Sequence, residues 1–229
     1  MRQAEQEADV IIWDGGNNDP SFYAADLTIT VADPMRPGHE LIYWAGETNL
    51  SMADVVLINK CGTSRPEDIE TVISNTRSRN PGAVIIKADS PVSVAEPDLV
   101  RGRRVIVVED GPTLTHGEMH TGAGTVAAQR FGAAEIIDPR PFAVGSIKAA
   151  YEKYPHMGNL VPALGYYGGQ LDELKRTLED SDADTVLIGT PIDLRRVIDI
   201  SKPSTRVTYE LKEHDPQALR AALQRAIER

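Results

Sequence analysis

Short runs of valine and isoleucine, separated by amphipathic stretches, recur along this chain and restrict it to a small set of folds. Val10 to Trp13, Leu27 to Val31, Val55 to Ile58, Val84 to Ile86, Val105 to Val108, Glu135 to Ile137 and Thr185 to Ile188 are such runs. Brief apolar runs without polar alternation suit strands covered on both faces of a mainly parallel sheet. Between them, Pro66 to Arg79, Gly124 to Phe131, Val144 to Tyr154, Gln170 to Glu179 and Asp215 to Glu228 carry helical spacing. In the first of these, Ile69, Val72 and Ile73 share one helical face, and Pro66 suits a first-turn position. Strands alternating with helices of this length predict βαβ units: an α/β fold with a doubly wound, mostly parallel sheet and helices on both faces.

Two segments break the alternation, residues 32–51 and 154–169, both rich in proline and glycine. Long irregular loops in compact domains commonly carry function. Pro91 and Pro97 interrupt the pattern and place a lobe boundary between residues 1–90 and 91–229. Arg2 to Ala8 has the character of a helix end running straight into the run at Val10. A sheet whose first strand carries a functional carboxylate ordinarily has a βα unit ahead of it. Either a short N-terminal helix packs on the sheet, or the chain is one piece of a larger enzyme.

A formal charge of −10 argues against nucleic acid as a general partner, because there is no basic surplus to displace counterions. A small anionic ligand stays open, since a helix N-terminus or a local arginine cluster holds one. No apolar run approaches the roughly 20 residues that cross a bilayer, so no membrane association is expected. The single cysteine, Cys61, excludes an internal disulfide framework and suits a reducing, cytoplasmic setting.

Four constellations carry chemistry. Val10 to Asp19 reads VIIWDGGNND, in which Asp14 ends an apolar run beside Gly15 and Gly16. Such a carboxylate sits where a doubly wound sheet opens its ligand crevice, and in phosphoryl transfer it holds Mg²⁺; a Gly/Asn/Asp turn that only ends a strand has the same composition. Asn59 and Lys60 end the run at Val55 in the position where nucleotide-binding proteins of the GTPase type read a purine ring, the alternative being a polar strand end. Glu109 and Asp110 end a third run and lead into Thr115, His116, Thr121, Gly122, Gly124 and Thr125 ahead of a helix. The glycine-rich segment supplies backbone N–H groups for an anion, the carboxylates suit metal binding or proton transfer, and His116 suits phosphate when charged. No lysine follows those glycines, so this is not a Walker A loop. Finally, Arg140 after Asp138, and Arg195 with Arg196 after Asp193, suit bidentate pairing with phosphate or carboxylate, or ion pairs within the protein.

VIIWDGGNNDPSF, TVADPMRPGHELIYWAGETNLSMADVVLINK, VEDGPTLTHGEMHTGAG, IIDPRPFAVGSI and GTPIDLRR, in that order over nearly the whole chain, resemble the cyclic 2,3-diphosphoglycerate synthetase family. The resemblance implies an archaeal-type cytosolic ligase that uses ATP and Mg²⁺ to close 2,3-diphosphoglycerate into an intramolecular phosphoanhydride. It makes residues 1–90 the C-terminal part of a P-loop-NTPase-like nucleotide domain and residues 91–229 a Rossmann-like α/β domain. Asp14 then resembles the Mg²⁺ carboxylate of that domain, with Glu109 a second metal candidate, and Asn59 with Lys60 the base contact. Asp14, Glu109, Asp110 and His116 become the catalytic candidates. Thr115, Thr121, Gly122, Gly124, Thr125, Arg140, Arg195 and Arg196 become the candidates for a small, phosphorylated, anionic substrate. Gly62 stands where the base-contact pattern has an acidic residue. Family members are about twice as long and carry their phosphate-binding loop upstream, so the expected partner is a P-loop-bearing N-terminal region, or a second copy in a homodimer. A non-catalytic nucleotide- or phosphate-binding module is the alternative from another functional class.

Overall fold

The computed structural model describes residues 2–19, 21–115 and 119–228, which fall into two compact units. One comprises Met1–Pro91 together with Glu210–Arg229, the other Val92–Tyr209. Both are α/β units with mostly parallel sheets flanked by helices.

In the first unit, β1 (Ile29–Ala32), β2 (Val55–Ile58) and β3 (Val84–Asp89) are parallel and lie side by side in chain order. β10 (Lys212–Glu213) adds to β3 antiparallel. All four residues of β2 are buried, and alternation sends them to opposite faces. Val56 and Ile58 pack with Leu50, Cys61 and Val72, which brings in α4 (Pro66–Arg79) through Val72, Ile69 and Ile73. Val55 and Leu57 pack with Ile86, Ala88 and Ala222, beneath α9 (Pro216–Ile227). Asp215 caps α9 by accepting the Gln217 N–H at 3.0 Å, and Pro216 takes the first-turn position that needs no donor. The Asn80 amide, just past α4, donates to the carbonyls of Leu50 and Ala53 and so fixes the end of α3 (Gly46–Met52) beside α4.

Residues 10–16 depart from expectation. The run Val10 to Trp13 forms no strand, and Val10, Ile11, Ile12 and Trp13 are all exposed. A β-branched run becomes a strand only when a neighbouring strand satisfies its backbone and another layer covers its side chains. Neither is present here among the described residues. Only α1 (Ala4–Glu7), a single turn, precedes it. The stretch 32–51, read as a loop, contains α2 (His39–Ile42) as well as α3.

The second unit is built on β5 (Arg104–Asp110), whose residues Val105 to Glu109 are buried. The sheet order is β4 (Val92–Val94), β9 (Ser204–Tyr209), β8 (Thr185–Ile188), β5, β6 (Glu135–Ile136), with β7 (Val161–Ala163) also pairing β5. β6 pairs the first residues of β5 and β7 its last, and only β4 runs antiparallel. α5 (Gly111–Thr115) follows β5 directly, and α6 (Ala123–Arg130) lies over β5, β4 and β9. α7 (Gly145–Lys153) and α8 (Gly169–Glu179) pack on each other. They are joined at an end by Glu173 of α8, which accepts from the N–H and the hydroxyl of Ser146 in the first turn of α7. Those two donors hold the Glu173 carboxyl below its ordinary range.

Candidate functional site

In the second unit the chain leaves β5 for β6 and β7 on one flank, then crosses to β8 on the other. The mouth between the C-terminal ends of β5 and β8 is therefore the topological switch point, where sheets of this kind bind ligands. Register places Val108 opposite Ile188, so Glu109 and Gly189 face each other at the rim.

Glu109 is 2% exposed, and its carboxylate enters the N-terminus of α6. Its Oε1 accepts from the Thr125 N–H at 2.8 Å and the Thr125 hydroxyl at 3.1 Å, and the backbone N–H groups of Gly124 and Gly122 favour the charged carboxylate from nearby. Burial pushes its carboxyl up, and these donors pull against that. The surrounding glycines are a steric necessity: a Cβ on Gly122 or Gly189 would lie 2.5 or 2.6 Å from Glu109 Oε2, and one on Gly124 would lie 2.6 Å from Val107 Cγ1. Of the N–H groups that the sequence offers to a ligand anion, that of Thr125 is thus engaged by an internal carboxylate.

Around this rim the other predicted residues separate. Asp110 is half-buried; burial, with the Asp110 charge adding, pushes the Tyr166 hydroxyl up. The Thr115 hydroxyl donates to the Gly111 carbonyl within α5, and Thr121 is half-buried one residue before the cradle. His116 lies outside the described residues. Two histidines that the sequence reading left aside act as staples. His120 Nδ1 lies 2.7 Å from the His156 carbonyl, and His156 Nε2 lies 2.8 Å from the Leu114 carbonyl. Arg140, beyond β6, is held by Asp138 at 2.9 Å and by the Met157 carbonyl, with its guanidinium over the Tyr151 ring. Arg195 pairs with both carboxylate oxygens of Asp193, at 3.0 and 2.9 Å. Arg196 is exposed, and its guanidinium makes no ion pair or hydrogen bond among the described residues.

Arg195 holds the Asp193 carboxyl below its ordinary range. A depressed carboxyl stabilises the fold above the unfolded value, and that contribution is lost as pH falls through the folded one. Asp193→Asn should therefore lower the melting temperature at pH 7, and the difference from the unmodified chain should shrink as pH falls below the ordinary carboxylate range of about 4, which melting curves at descending pH would measure.

In the first unit, β1 delivers Asp33, whose carboxylate binds Lys60 Nζ at 2.7 Å and Arg36 at 3.3 Å. Lys60 takes a left-handed conformation (φ 60°), and its N–H donates to Asn59 Oδ1 at 2.8 Å. The Asn59 amide NH₂ makes no hydrogen bond among the described residues, while the lysine charge is paired with Asp33. A carboxylate also reaches the neighbourhood of Gly62 from another strand: Asp89, ending β3, lies 2.8 Å from His214 Nε2. A Cβ at residue 62 would come within 3.1 Å of Asp89 Oδ1, which accounts for glycine where the pattern has an acid. His214 holds the Asp89 carboxyl below its ordinary range. Cys61 is buried with its thiol donating to the Ile58 carbonyl, and burial pushes that thiol up, away from nucleophilic duty.

Asp14 is exposed and makes no hydrogen bond or ion pair among the described residues. Nor do three or more His, Cys, Asp or Glu gather there at metal-binding distances. Magnesium commonly takes one or two carboxylates and completes its shell with phosphate and water, so Asp14 fits such an ion as a single protein ligand. Of the Glu109 carboxylate, Oε1 is engaged by Thr125 of α6. Among the described residues no helix is long and apolar enough to cross a membrane.

No protein-family model matches the chain. Over 224 residues, 98% of the chain, it is 55% identical to a protein of Thermococcus kodakarensis named Arginine synthetase ArcE. The chain spans about half the length of that curated relative, 50%.

Proposed function

We propose that the chain is one half of a nucleotide-driven synthetase whose product is arginine, the identity of 55% with a protein named for that activity being the observation that carries it. A synthetase couples bond formation to cleavage of a nucleoside triphosphate, normally as its Mg²⁺ complex, which supplies the phosphoryl activation. On the side of this chain, Asp14 would offer the metal one carboxylate. The free Asn59 amide would read the base, and the Lys60 stem, pinned by Asp33, would lie along the ring.

The charge arrangement supports a substrate that is not polyanionic. Lys60, Arg140 and Arg195 are each neutralised by a nearby aspartate, and the α6 N-terminus is filled by Glu109. An amino-acid substrate with a cationic or neutral head needs no large surplus of positive charge, whereas a doubly phosphorylated one does. Cyclisation of 2,3-diphosphoglycerate is the second reading, favoured by the sequence motifs and by the exposed Arg196.

Microscopic reversibility gives a test that requires no knowledge of the precursor. The complete protein, containing this chain and the other half, should make ATP from arginine with ADP and phosphate, or with AMP and pyrophosphate. A luminescent ATP assay reads this. Phosphate release stimulated by 2,3-diphosphoglycerate, with no arginine-dependent ATP, would favour the second reading, and absence of both would sink the enzymatic proposal. Asp14→Ala should lower the turnover by on the order of 100-fold, as expected when a metal-positioning carboxylate is lost.

A further inference from the structure

The first unit carries a bare side. β1 ends the sheet, and no strand pairs its outer edge among the described residues. Its two faces are treated differently. Ala32 is buried in the cluster beneath α4, and the Thr30 hydroxyl donates to the Asn49 carbonyl at the end of α3. Ile29 and Val31, on the opposite face, stand in register with Val55 and Leu57. The latter pair is buried under α9, whereas Val31 is 62% exposed. α9 therefore covers β2 and β3 and leaves β1 uncovered. In the same unit Ile12 is 85% exposed, and Trp13 and Phe22 form an edge-to-face pair at 5.2 Å. The end of this segment is tied at α3, whose Asn49 carbonyl also accepts the Thr30 hydroxyl of β1: Asn17 donates to the Trp44 carbonyl, and Asn49 donates to the Asn17 carbonyl. Trp44 itself is 83% exposed. A β-branched run that pairs with no strand among the described residues, an open parallel edge and an uncovered apolar sheet face belong to one unit, and Asn49 joins the segment that follows the run to β1. They amount to a missing strand and a missing helix.

From these features we infer that this side is the docking surface for a polypeptide corresponding to the half of the arginine synthetase relative that the chain does not span. Residues 10–13 join the sheet as a strand when that half binds. The occupant is fixed by the length relation, since the matched relative has as much chain again beyond these 224 residues. The inference rests on the proposed function only for the identity of that half; its test needs no turnover.

The chain is co-expressed with a tagged polypeptide made of the part of the T. kodakarensis relative outside the match, and the soluble product is sized by light-scattering chromatography. A 1:1 complex is expected, with amide exchange at residues 10–13 and 29–32 slowed relative to the chain alone. Val31→Lys and Ile12→Asp should each weaken the association by at least about tenfold, as for central apolar contacts of an interface. Both side chains are exposed, so the melting temperature of the isolated chain serves as the folding control and should stay unchanged. The inference is overturned if the other half stays insoluble or unbound in the presence of this chain, or if the two variants bind as the unmodified chain does. It is also overturned if the chain alone forms a homodimer that Val31→Lys abolishes, because a second copy then occupies the edge.

Discussion

Replacing Glu109 with alanine should destabilise the second unit by about 3 kcal/mol, the sum of a lost helix cap and buried N–H groups left without acceptors. The carboxylate accepts from the Thr125 N–H and the Thr125 hydroxyl, with the Gly122 and Gly124 N–H groups acting on it from nearby, and at 2% exposure water does not replace it without entering the protein. At roughly 2–4 °C per kcal/mol for a chain of this size, the melting temperature should fall by about 6–12 °C in calorimetry. Glu109→Gln keeps one acceptor oxygen but turns an amide NH₂ towards other donors, so it should fall between alanine and the unmodified chain. A side chain held ready for metal or proton transfer would behave differently. Both substitutions would then leave the melting curve in place and act on turnover alone, and that result would remove Glu109 from its structural role.

Gly111→Ala should be of similar severity, about 2–3 kcal/mol, for a steric reason. A Cβ at this position would lie 2.3 Å from the Ala163 carbonyl oxygen and 2.9 Å from its carbon. These are backbone atoms of β7, which is paired to the last residues of β5, so no side chain can swing aside. Relief requires the β7 end and the following Tyr166 segment to shift, and forced overpacking of this kind typically costs 1–3 kcal/mol. Because the shift alters the flank of the β5 mouth, near-ultraviolet dichroism from Tyr166 and Tyr167 should change along with thermal stability. An unchanged spectrum with an unchanged melting curve would mean that β5 and β7 separate freely.

The strands and helices of the βα repeats were legible because their own residues decide them. Val55–Ile58, Thr185–Ile188 and Pro66–Arg79 carry mostly apolar side chains at their buried positions, Thr185 and Thr76 apart, and Pro66 marks the start of its helix. β7, β9 and β10 were not legible. Val161–Ala163 contains a proline between glycine-rich neighbours, and Ser204–Tyr209 holds a single aliphatic residue, Val207; partners far along the chain recruit both. The error at Val10 to Trp13 has a different origin: the composition of a buried strand is present without the layers that would bury it. At the site, sequence identified Glu109, Gly122, Gly124 and Thr125 as neighbours but assigned the N–H groups to a ligand. Nothing in residue order discloses that the strand-end carboxylate turns into the helix that follows. Gly189 was overlooked as a member of the cradle, although a glycine directly after an apolar strand was the available sign. The arginines were read as ligand contacts or internal pairs, and Asp138 and Asp193, each two residues away from its arginine, supply the internal pairs.

The second unit is one continuous stretch whose first strand, β4, pairs with its last, β9, while the first unit is assembled from both ends of the chain. On the ribosome, residues 92–209 can complete every contact of their own unit before the last residues emerge. β3 meanwhile waits for β10, and β2 for the cover that Ala222 provides. Closing the first unit means bringing together segments more than a hundred residues apart, at an entropic cost that grows only slowly with loop length and shrinks once the intervening stretch is already compact. The inserted unit thus acts as a pre-formed clasp, and damage to it delays the maturation of the unit that encloses it in sequence.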